Sequence, residues 1–341
     1  MDDVTLLTAA DAVQLAAAGE PLRTGYGLAG ELDRLPGEAD DNFLLRTPAG
    51  DRYVVKFAHP KTDPEVIDLQ ARTLKHLETT TNLPVQHVIP SLDGRLWIRP
   101  RDRIILVTRY LTGTPMREAR MTGPLRRQLG VTLAVLARAL NDLPGKPRAL
   151  LWDIAQLATL RPLAAELPPR SGRDLLTGLI DRFQEGTEPR LKSLRTQLVH
   201  NDFNVDNILF DSGTVSGILD FGDMTVTALA NDVAIAACYH LSYEEDLLYP
   251  ALDLIAGYHA TTPLTVAERD LLPDLILARL AARVTIPRWR AVRFPGNEEY
   301  ILRSTAMAWT HLNRLLSVPD GQFAERIHAA CQKDQKEQPH A

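Results

Sequence analysis

The chain has 341 residues, of which 45% are hydrophobic and 24% charged, so it is long and apolar enough to form a globular protein with a large buried core. Its formal net charge of −5 and its scattered basic residues give no reason to expect a nucleic-acid partner. Two cysteines far apart in sequence, without metal-ligand or disulfide spacing, indicate a reducing cytoplasm. No apolar run predicts a membrane span, and the acidic first residues argue against a secretory signal.

The N-terminal region predicts one helix followed by β structure. Helical spacing predicts a helix from Thr8 to Ala18, with Thr8 as its N-cap and Gly19 as its stop. Three β-prone runs follow, and turn residues join the last two into a hairpin. These runs are residues 28–35, 42–47 and 52–58.

The third of these runs carries Lys56 among apolar residues. Strand alternation allows Lys56 to be an ordinary residue on the polar face of the strand. A helix is predicted from Pro64 to Glu78, and another strand at 104–108. A Gly-x-Gly-x-x-Gly pattern at residues 25–30 follows a loop rather than an apolar strand, so it does not predict a dinucleotide-binding motif.

Beyond residue 110 the pattern becomes mainly helical, which predicts a domain boundary there. The predicted division is an N-terminal region 1–110, a C-terminal region 111–331 and an unstructured polar tail 332–341. A loop is predicted around Pro287. Apolar periodicity predicts helices at 125–140, 175–194, 251–259, 267–285 and 298–316.

The most informative stretch begins at His200 and reads His-x-Asp-x-x-x-x-Asn, ending at Asn207. A second motif, Asp-Phe-Gly, begins at Asp220 after an apolar strand. In this pattern Asp202 is suited to take a proton from a hydroxyl, while Asn207 and Asp220 are suited to hold the magnesium that neutralises nucleotide phosphates. The two motifs together predict a phosphoryl-transfer site.

Turn chemistry supports that interpretation. Residues 207–210 and 214–219 are short β-prone runs, and Asp211-Ser212-Gly213 between them is typical of a hairpin turn. Such a hairpin brings Asn207 and Asp220 to the same edge. Magnesium prefers a small number of such oxygen ligands and completes its shell with water and phosphate. A solvated acidic turn is the simpler alternative.

The pattern of His200, Asp202, Asn207 and Asp220 resembles that of the aminoglycoside phosphotransferase and choline kinase group. That resemblance implies an α+β, protein-kinase-like fold with a small β-rich nucleotide-binding N-lobe and a larger, mostly helical C-lobe for catalysis and substrate binding. More narrowly, residues 217–224 and 37–43 are similar to the hydroxylysine kinase branch, which is associated with GTP as donor.

The resemblance assigns roles to further residues. Lys56 becomes the strand lysine that holds the nucleotide phosphates. The turn at 36–41 becomes the loop that covers the phosphates, with Gly37 and Glu38 as nucleotide contacts through backbone N–H groups. Backbone groups of three consecutive residues at the lobe boundary would touch the nucleotide base. They are Arg109, Tyr110 and Leu111.

Structural support is expected from His200 and Asp232, because an aspartate at the latter position braces the catalytic loop in the resembled family. One departure concerns the residue that pairs with Lys56, where the family has glutamate and this chain has Gln70. An amide brings no charge, so Glu65 or Asp68 is an alternative partner.

Substrate binding is the least determined part of the prediction. Asp223 is placed to attract a cation, and an arginine near Pro287 is suited to bind a carboxylate through a bidentate guanidinium. Surface charge is the alternative for all of them. The candidates in this second group are Arg283, Arg288 and Trp289.

The leading hypothesis is a Mg²⁺-dependent kinase that transfers the γ-phosphoryl group of ATP or GTP to a hydroxyl of a small amine-bearing metabolite, a hydroxylysine-like amino acid or an amino alcohol. An aminoglycoside O-phosphotransferase is the first alternative. A catalytically silent nucleotide-binding module is the second, and it is disfavoured because Lys56, Asp202, Asn207 and Asp220 are all present. No nucleic-acid or membrane partner is expected.

Overall fold

The computed structural model describes residues 13, 15–37, 39–294 and 298–337. The chain divides into two compact units. The first consists of residues up to Pro115 together with Asn207–Met224, and the second of Met116–Asp206 together with the residues from Thr225 onward. The hairpin predicted between the two motifs therefore belongs to the β-rich first unit rather than to the helical one.

The first unit contains a four-stranded antiparallel sheet whose strands follow chain order. The strands are β1 (Glu31–Leu35), β2 (Asp41–Arg46), β3 (Arg52–Phe57) and β4 (Ile105–Arg109). Helices α1 (Leu15–Tyr26) and α2 (Pro64–Thr80) accompany the sheet. Tyr53, Val55 and Phe57 point into a core that includes α1. Because strand side chains alternate, Lys56 lies on the opposite face of β3.

Helix α1 differs from its prediction. It continues through Gly19, so the predicted stop is wrong, and Thr8 lies outside the described residues. Ala18, Leu22 and Tyr26 recur at four-residue spacing and are buried. Their burial outweighs a glycine penalty of about 1 kcal/mol.

The end of α1 explains the glycine pattern at 25–30. Gly27 has φ +67°. Its N–H donates to the carbonyl of Arg23 at 3.2 Å, and the N–H of Leu28 donates to the carbonyl of Leu22 at 3.1 Å. This arrangement is a helix C-terminus, where glycine is favoured in the left-handed region.

The predicted hairpin is present in the first unit. Strand β5 (Thr114–Pro115) pairs with β7 (Ile208–Asp211), which pairs antiparallel with β8 (Thr214–Ile218). The turn residue Gly213 has φ +80°. The hairpin thus returns the chain so that residues 207 and 219 face each other.

The second unit is mostly helical, with one antiparallel pair formed by β6 (Thr196–Val199) and β9 (Thr225–Ala228). Its longer helices are α3 (Gly123–Leu140), α5 (Arg173–Arg182), α7 (Leu229–Cys238), α8 (Tyr249–Thr261), α9 (Val266–Arg293), α11 (Thr305–Leu316) and α12 (Gln322–Glu337). The short helices are α4 (Arg161–Ala165), α6 (Glu188–Leu191) and α10 (Glu298–Leu302). The α+β organisation predicted from the sequence is confirmed.

Two predictions for the second unit are wrong. Helix α9 runs through Pro287, where a loop was expected, because residues on both sides of the proline are buried and hold the helix together. Pro287 has no N–H to donate to the carbonyl of Arg283, so the helix lacks one hydrogen bond there. Helix α12 extends to Glu337, six residues into the tail predicted as unstructured. Among the described residues no helix is long and apolar enough to cross a membrane.

Candidate active site

Lys56 lies between two carboxylates of the first unit. Its Nζ is 3.4 Å from Oδ2 of Asp40 and 3.8 Å from Oδ1 of Asp220. Burial opposes the charge of Lys56, but the carboxylates of Asp220, Asp40 and Asp223 outweigh it and raise the pKa of the lysine above its ordinary value. Lys56 is therefore a fixed cation at any physiological pH.

Asp40 is held in place by its own loop. The backbone N–H of His59 donates to Oδ1 of Asp40 at 2.8 Å, which leaves Oδ2 toward Lys56. A Cβ at Gly37 would meet the carbonyl oxygen of Asp40 at 2.4 Å, so the loop folds this tightly only because residue 37 is glycine. Glu38 lies outside the described residues.

The sequence left open which residue pairs with Lys56, because Gln70 stands where the resembled family has glutamate. Gln70 is buried in α2, and its Oε1 has no hydrogen-bonding partner among the described residues. Asp68 instead accepts from Arg72 Nε at 2.6 Å and from the indole of Trp97 at 3.3 Å. The ion pairs of Lys56 run to Asp220 and to Asp40, on the loop before β2, rather than to Asp68.

Asn207 and Asp220 come together at one end of the hairpin. The N–H of Leu219 donates to the carbonyl of Asn207 at 2.8 Å, so the residue after Leu219 lies beside the start of β7. Asp220 has φ +55°, and its Oδ1 accepts from the N–H of Gly222 at 3.1 Å. A left-handed aspartate costs backbone energy that functional sites commonly sustain.

This pair fits a magnesium ion by its chemistry. One amide oxygen and one carboxylate are hard ligands, few in number, and the side chain of Asp220 is 54% exposed to solvent. Lys56 adds a cation beside them. Together, Asn207, Asp220 and Lys56 are suited to bind nucleotide phosphates that carry a metal ion.

The catalytic loop of the second unit is tied to α7 through Asp232. The N–H groups of His200 and Asn201 donate to the two carboxylate oxygens of Asp232, at 2.9 and 2.6 Å. Burial raises the pKa of Asp232, while the electrostatic interaction with His200 and the two N–H donors oppose that rise. Nδ1 of His200 then accepts the N–H of Asp202 at 3.2 Å. The loop is thus held by Asp232 from α7 and by the side chain of His200 within it.

Asp202 itself is held by two donors on one oxygen. Oδ1 accepts from Nδ2 of Asn204 at 2.8 Å and from Nη2 of Arg279 at 3.2 Å. Arg279 is 98% buried, its Nη1 donates to the carbonyl of Trp152 at 2.8 Å, and its guanidinium lies 5.3 Å from the Trp152 ring centre. A rigid cation therefore orients the carboxylate that the sequence identified as a base.

Arg279 and Asp40 are candidate functional residues that the sequence interpretation missed. A signal was available for the arginine, because Arg279 and Arg283 stand four residues apart within an apolar helical run. For Asp40 there was none, since its role depends on the fold of a loop.

The segment at 109–111 uses part of its backbone internally. The N–H of Arg109 donates to the carbonyl of His87 at 2.8 Å, and that of Tyr110 to the carbonyl of Arg52 at 3.0 Å. The side chain of Arg109 pairs with Asp51. The backbone N–H groups of these two residues are therefore already engaged, and their carbonyls are the backbone groups left to contact a nucleotide base.

The substrate candidates on α9 have different surroundings. Arg288 donates to the carbonyl of Ser171 and stacks 4.2 Å from the ring centre of Trp309. The indole of Trp289 donates to Glu166 at 2.8 Å. Both tie α9 to its neighbours. Arg283 is the candidate without such a tie to a backbone carbonyl or carboxylate among the described residues.

A lysine between carboxylates, an asparagine and an aspartate at the end of a hairpin, and a braced aspartate are the features expected of a kinase-type phosphotransferase. Residues 31–272 match the model of the Phosphotransferase enzyme family, APH, and the chain belongs to that family. It is a small-molecule kinase that transfers a phosphoryl group to an alcohol acceptor.

Relatives match most of the chain. A hydroxylysine kinase of Danio rerio is 25% identical over 331 residues, covering 90% of this chain and 93% of that protein. A homoserine kinase of Chelativorans sp. (strain BNC1) is 31% identical over 292 residues, covering 78% and 84%.

Solved structures share the fold. An amicoumacin kinase in complex with AMP-PNP, Ca²⁺ and Ami has a TM-score of 0.66 at 18% identity, covering 93% of this chain and 92% of that one. A microcompartment-associated aminopropanol kinase has a TM-score of 0.61 at 19% identity, covering 93% and 99%. The protein-kinase-like fold predicted from the motifs is confirmed.

Proposed function

We propose that this kinase uses Mg²⁺ and ATP or GTP to phosphorylate a hydroxyl of a small amine-bearing metabolite, a hydroxylysine-like amino acid or an amino alcohol. The observation that carries the proposal is the fixed cation Lys56 beside Asp220, which shares the end of the hairpin with Asn207. These groups supply what a triphosphate with bound metal requires.

On the donor side, Lys56 neutralises phosphate oxygens while Asn207 and Asp220 hold Mg²⁺. Held by these two residues, Mg²⁺ would supply the positive charge that offsets the charge developing on the phosphates during transfer. Asp40 keeps Lys56 in position through its ion pair. Gly37 brings backbone N–H groups of the 36–41 loop close to the phosphates. The base contacts fall to Leu111 and the carbonyls of Arg109 and Tyr110.

On the acceptor side, Asp202 accepts the proton of the attacking hydroxyl as the new O–P bond forms and the bond to the nucleoside diphosphate breaks. Arg279 and Asn204 hold the carboxylate by one oxygen and so orient it. Asp232 fixes the loop that carries it. Asp223, next to the Asp-Phe-Gly motif, is the candidate for attracting the ammonium of the acceptor.

Relatives support an amino-acid acceptor, since hydroxylysine and homoserine kinases match most of the chain. The test is a coupled assay with ATP and GTP against a panel of acceptors. The panel contains 5-hydroxylysine, homoserine, 1,5-diaminopentan-2-ol, 3-aminopropan-1-ol and kanamycin. Asp202→Asn is the inactive control.

We expect turnover of at least one hydroxy amino acid or amino alcohol, lost in chelator and in the control variant. Phosphorylation of kanamycin alone would overturn the metabolite assignment in favour of an aminoglycoside phosphotransferase. Nucleotide binding without turnover of any compound would favour a silent module.

A further inference from the structure

Four arginines among the described residues are buried, and three of them have an aspartate as counter-ion. Arg103 pairs with Asp41 at 3.0 Å, Arg126 with Asp253 at 2.8 Å, and Arg279 with Asp202 at 3.2 Å. The fourth, Arg283, is only 6% exposed and makes no ion pair within the described part of the chain.

The surroundings of Arg283 are an aromatic ring and a thiol. Its guanidinium lies 4.0 Å from the ring centre of Tyr239, and its Nη1 is 3.5 Å from Sγ of Cys238. A ring face attracts a cation, but it does not replace the hydrogen bonds of a carboxylate, and an uncompensated buried charge is costly. The site is therefore short of an anion.

A second buried group is His311, whose pKa is lowered in part by the charge of Arg283. His311 on α11 is 2% exposed, and neither of its ring nitrogens has a hydrogen-bonding partner among the described residues. Burial, with the charges of Arg283 and Arg314, lowers the pKa of His311 to about 4. At neutral pH the ring is uncharged and has one N–H to donate.

The two groups lie under a partly open surface. The ring of His311 is 4.7 Å from that of Tyr243, which is 60% exposed, and Tyr239 over Arg283 is partly exposed. Arg283 stands one helical turn, about 5.4 Å, from Arg279, which holds Asp202. An anion at Arg283 would thus lie within the reach of a small molecule whose hydroxyl is at Asp202.

We propose that Arg283 and His311 form a subsite for a carboxylate of the acceptor. The guanidinium supplies the charge and a planar pair of donors, and the imidazole supplies one N–H. This inference rests on the proposed transfer at Asp202 and narrows its acceptor to a hydroxy acid, with an amino acid favoured over an amino alcohol.

The test compares 5-hydroxylysine with 1,5-diaminopentan-2-ol, which keeps the hydroxyl and both amines but has no carboxylate. For Arg283→Met, kcat/KM for 5-hydroxylysine is expected to fall by about ten- to a hundredfold, as for loss of a charge-assisted hydrogen bond. The kcat/KM of the same variant for 1,5-diaminopentan-2-ol should change less than about threefold. Arg293→Met, an exposed arginine on the same helix, is the matched control and should alter neither value.

A second variant separates binding from structure. His311→Phe keeps a ring against Tyr243 and removes two nitrogens that have no hydrogen-bonding partner in the part of the chain that the structure describes, so Tm should be unchanged or higher. We expect kcat/KM for 5-hydroxylysine to fall about tenfold with the diamine unaffected. A lower Tm with an unchanged ratio of the two acceptors would show a purely structural histidine and overturn the proposal.

Failure of the subsite is distinguishable from failure of the proposed function. If wild-type enzyme phosphorylates both compounds equally and both variants lose them in parallel, transfer at Asp202 stands and the carboxylate subsite is wrong. If wild-type enzyme phosphorylates the diamine and not 5-hydroxylysine, the subsite is likewise wrong. Turnover of neither compound overturns the acceptor class and the subsite together.

Discussion

The catalytic segment 200–223 and helix α9 handle charge in opposite ways. In the segment, polar groups pair over a few residues, as Asp202 does with Asn204 and Asp220 with Gly222. On α9, Arg279 finds its carboxylate 77 positions away, and Arg283 finds none among the described residues. The comparison teaches that the segment organises its own turns locally, while the braces from Asp232 and Arg279 and the surroundings of Arg283 depend on packing between distant helices.

The largest effect is expected at the metal pair of the segment. Asp220→Ala should lower the rate of phosphoryl transfer more than about a thousandfold, even at saturating nucleotide, because the charge of the phosphates stays uncompensated. Single-turnover assays with titrated Mg²⁺ measure this. Asp211→Ala, an exposed aspartate on the same hairpin, should retain activity. Near-normal turnover by Asp220→Ala would remove this residue from metal binding.

Asp202→Asn tests the base of the segment. It should lower kcat by about a hundredfold or more while nucleotide affinity is unchanged, because a positioned base contributes to the chemical step. Initial rates and equilibrium nucleotide binding check the two halves of this expectation. A parallel loss of nucleotide affinity would point to a structural role instead.

Arg279→Met removes the contact by which helix α9 holds the carboxylate of Asp202. We expect kcat to fall about thirtyfold, with the acid limb of its pH profile at higher pH, since the ionised carboxylate loses a cation. Arg279→Lys should restore part of the rate. A drop in Tm with an unshifted pH profile would contradict positioning of Asp202 by this arginine.

His311→Phe also changes acid stability. An ordinary imidazole titrates near 6.5 and His311 near 4, so the unfolded chain takes up its proton first as pH falls. The stability that a neutral buried ring contributes is present above about pH 6.5 and is lost toward pH 4. The free energy of unfolding, measured by urea denaturation, should therefore fall by about 2 kcal/mol less for the variant than for wild type between pH 7 and pH 5. His87→Phe, an exposed position, should show the wild-type loss.

The smallest effect is expected at the loop carboxylate that pairs with Lys56. Asp40→Asn keeps the hydrogen bond from His59 and removes the charge, so KM for nucleotide should change about three- to tenfold with kcat nearly constant. Steady-state kinetics with ATP and GTP measure it. An equal change in Asp68→Asn would mean that the ion pair of Lys56 is not specific to Asp40.

Local motifs predicted a large part of this protein because their physics is local. The hairpin after Asn207 follows from turn residues and β-prone runs, and α2 begins at Pro64 as the sequence indicates. The family and its fold follow from the same short segments. Gly19 and Pro287 were misread because burial of neighbouring side chains outweighs the local preference of glycine and proline for breaking a helix.

The sequence by itself determined the kind of chemistry, since the spacing of Asp202, Asn207 and Asp220 is set by a loop and a hairpin within one segment. Only the tertiary structure decided that Asp40 pairs with Lys56, that Arg279 holds Asp202, and that Arg283 and His311 are buried without an anion. The physical reason is distance along the chain. Long-range pairing depends on how helices and loops pack, and no local pattern of residue types records which charges that packing brings together.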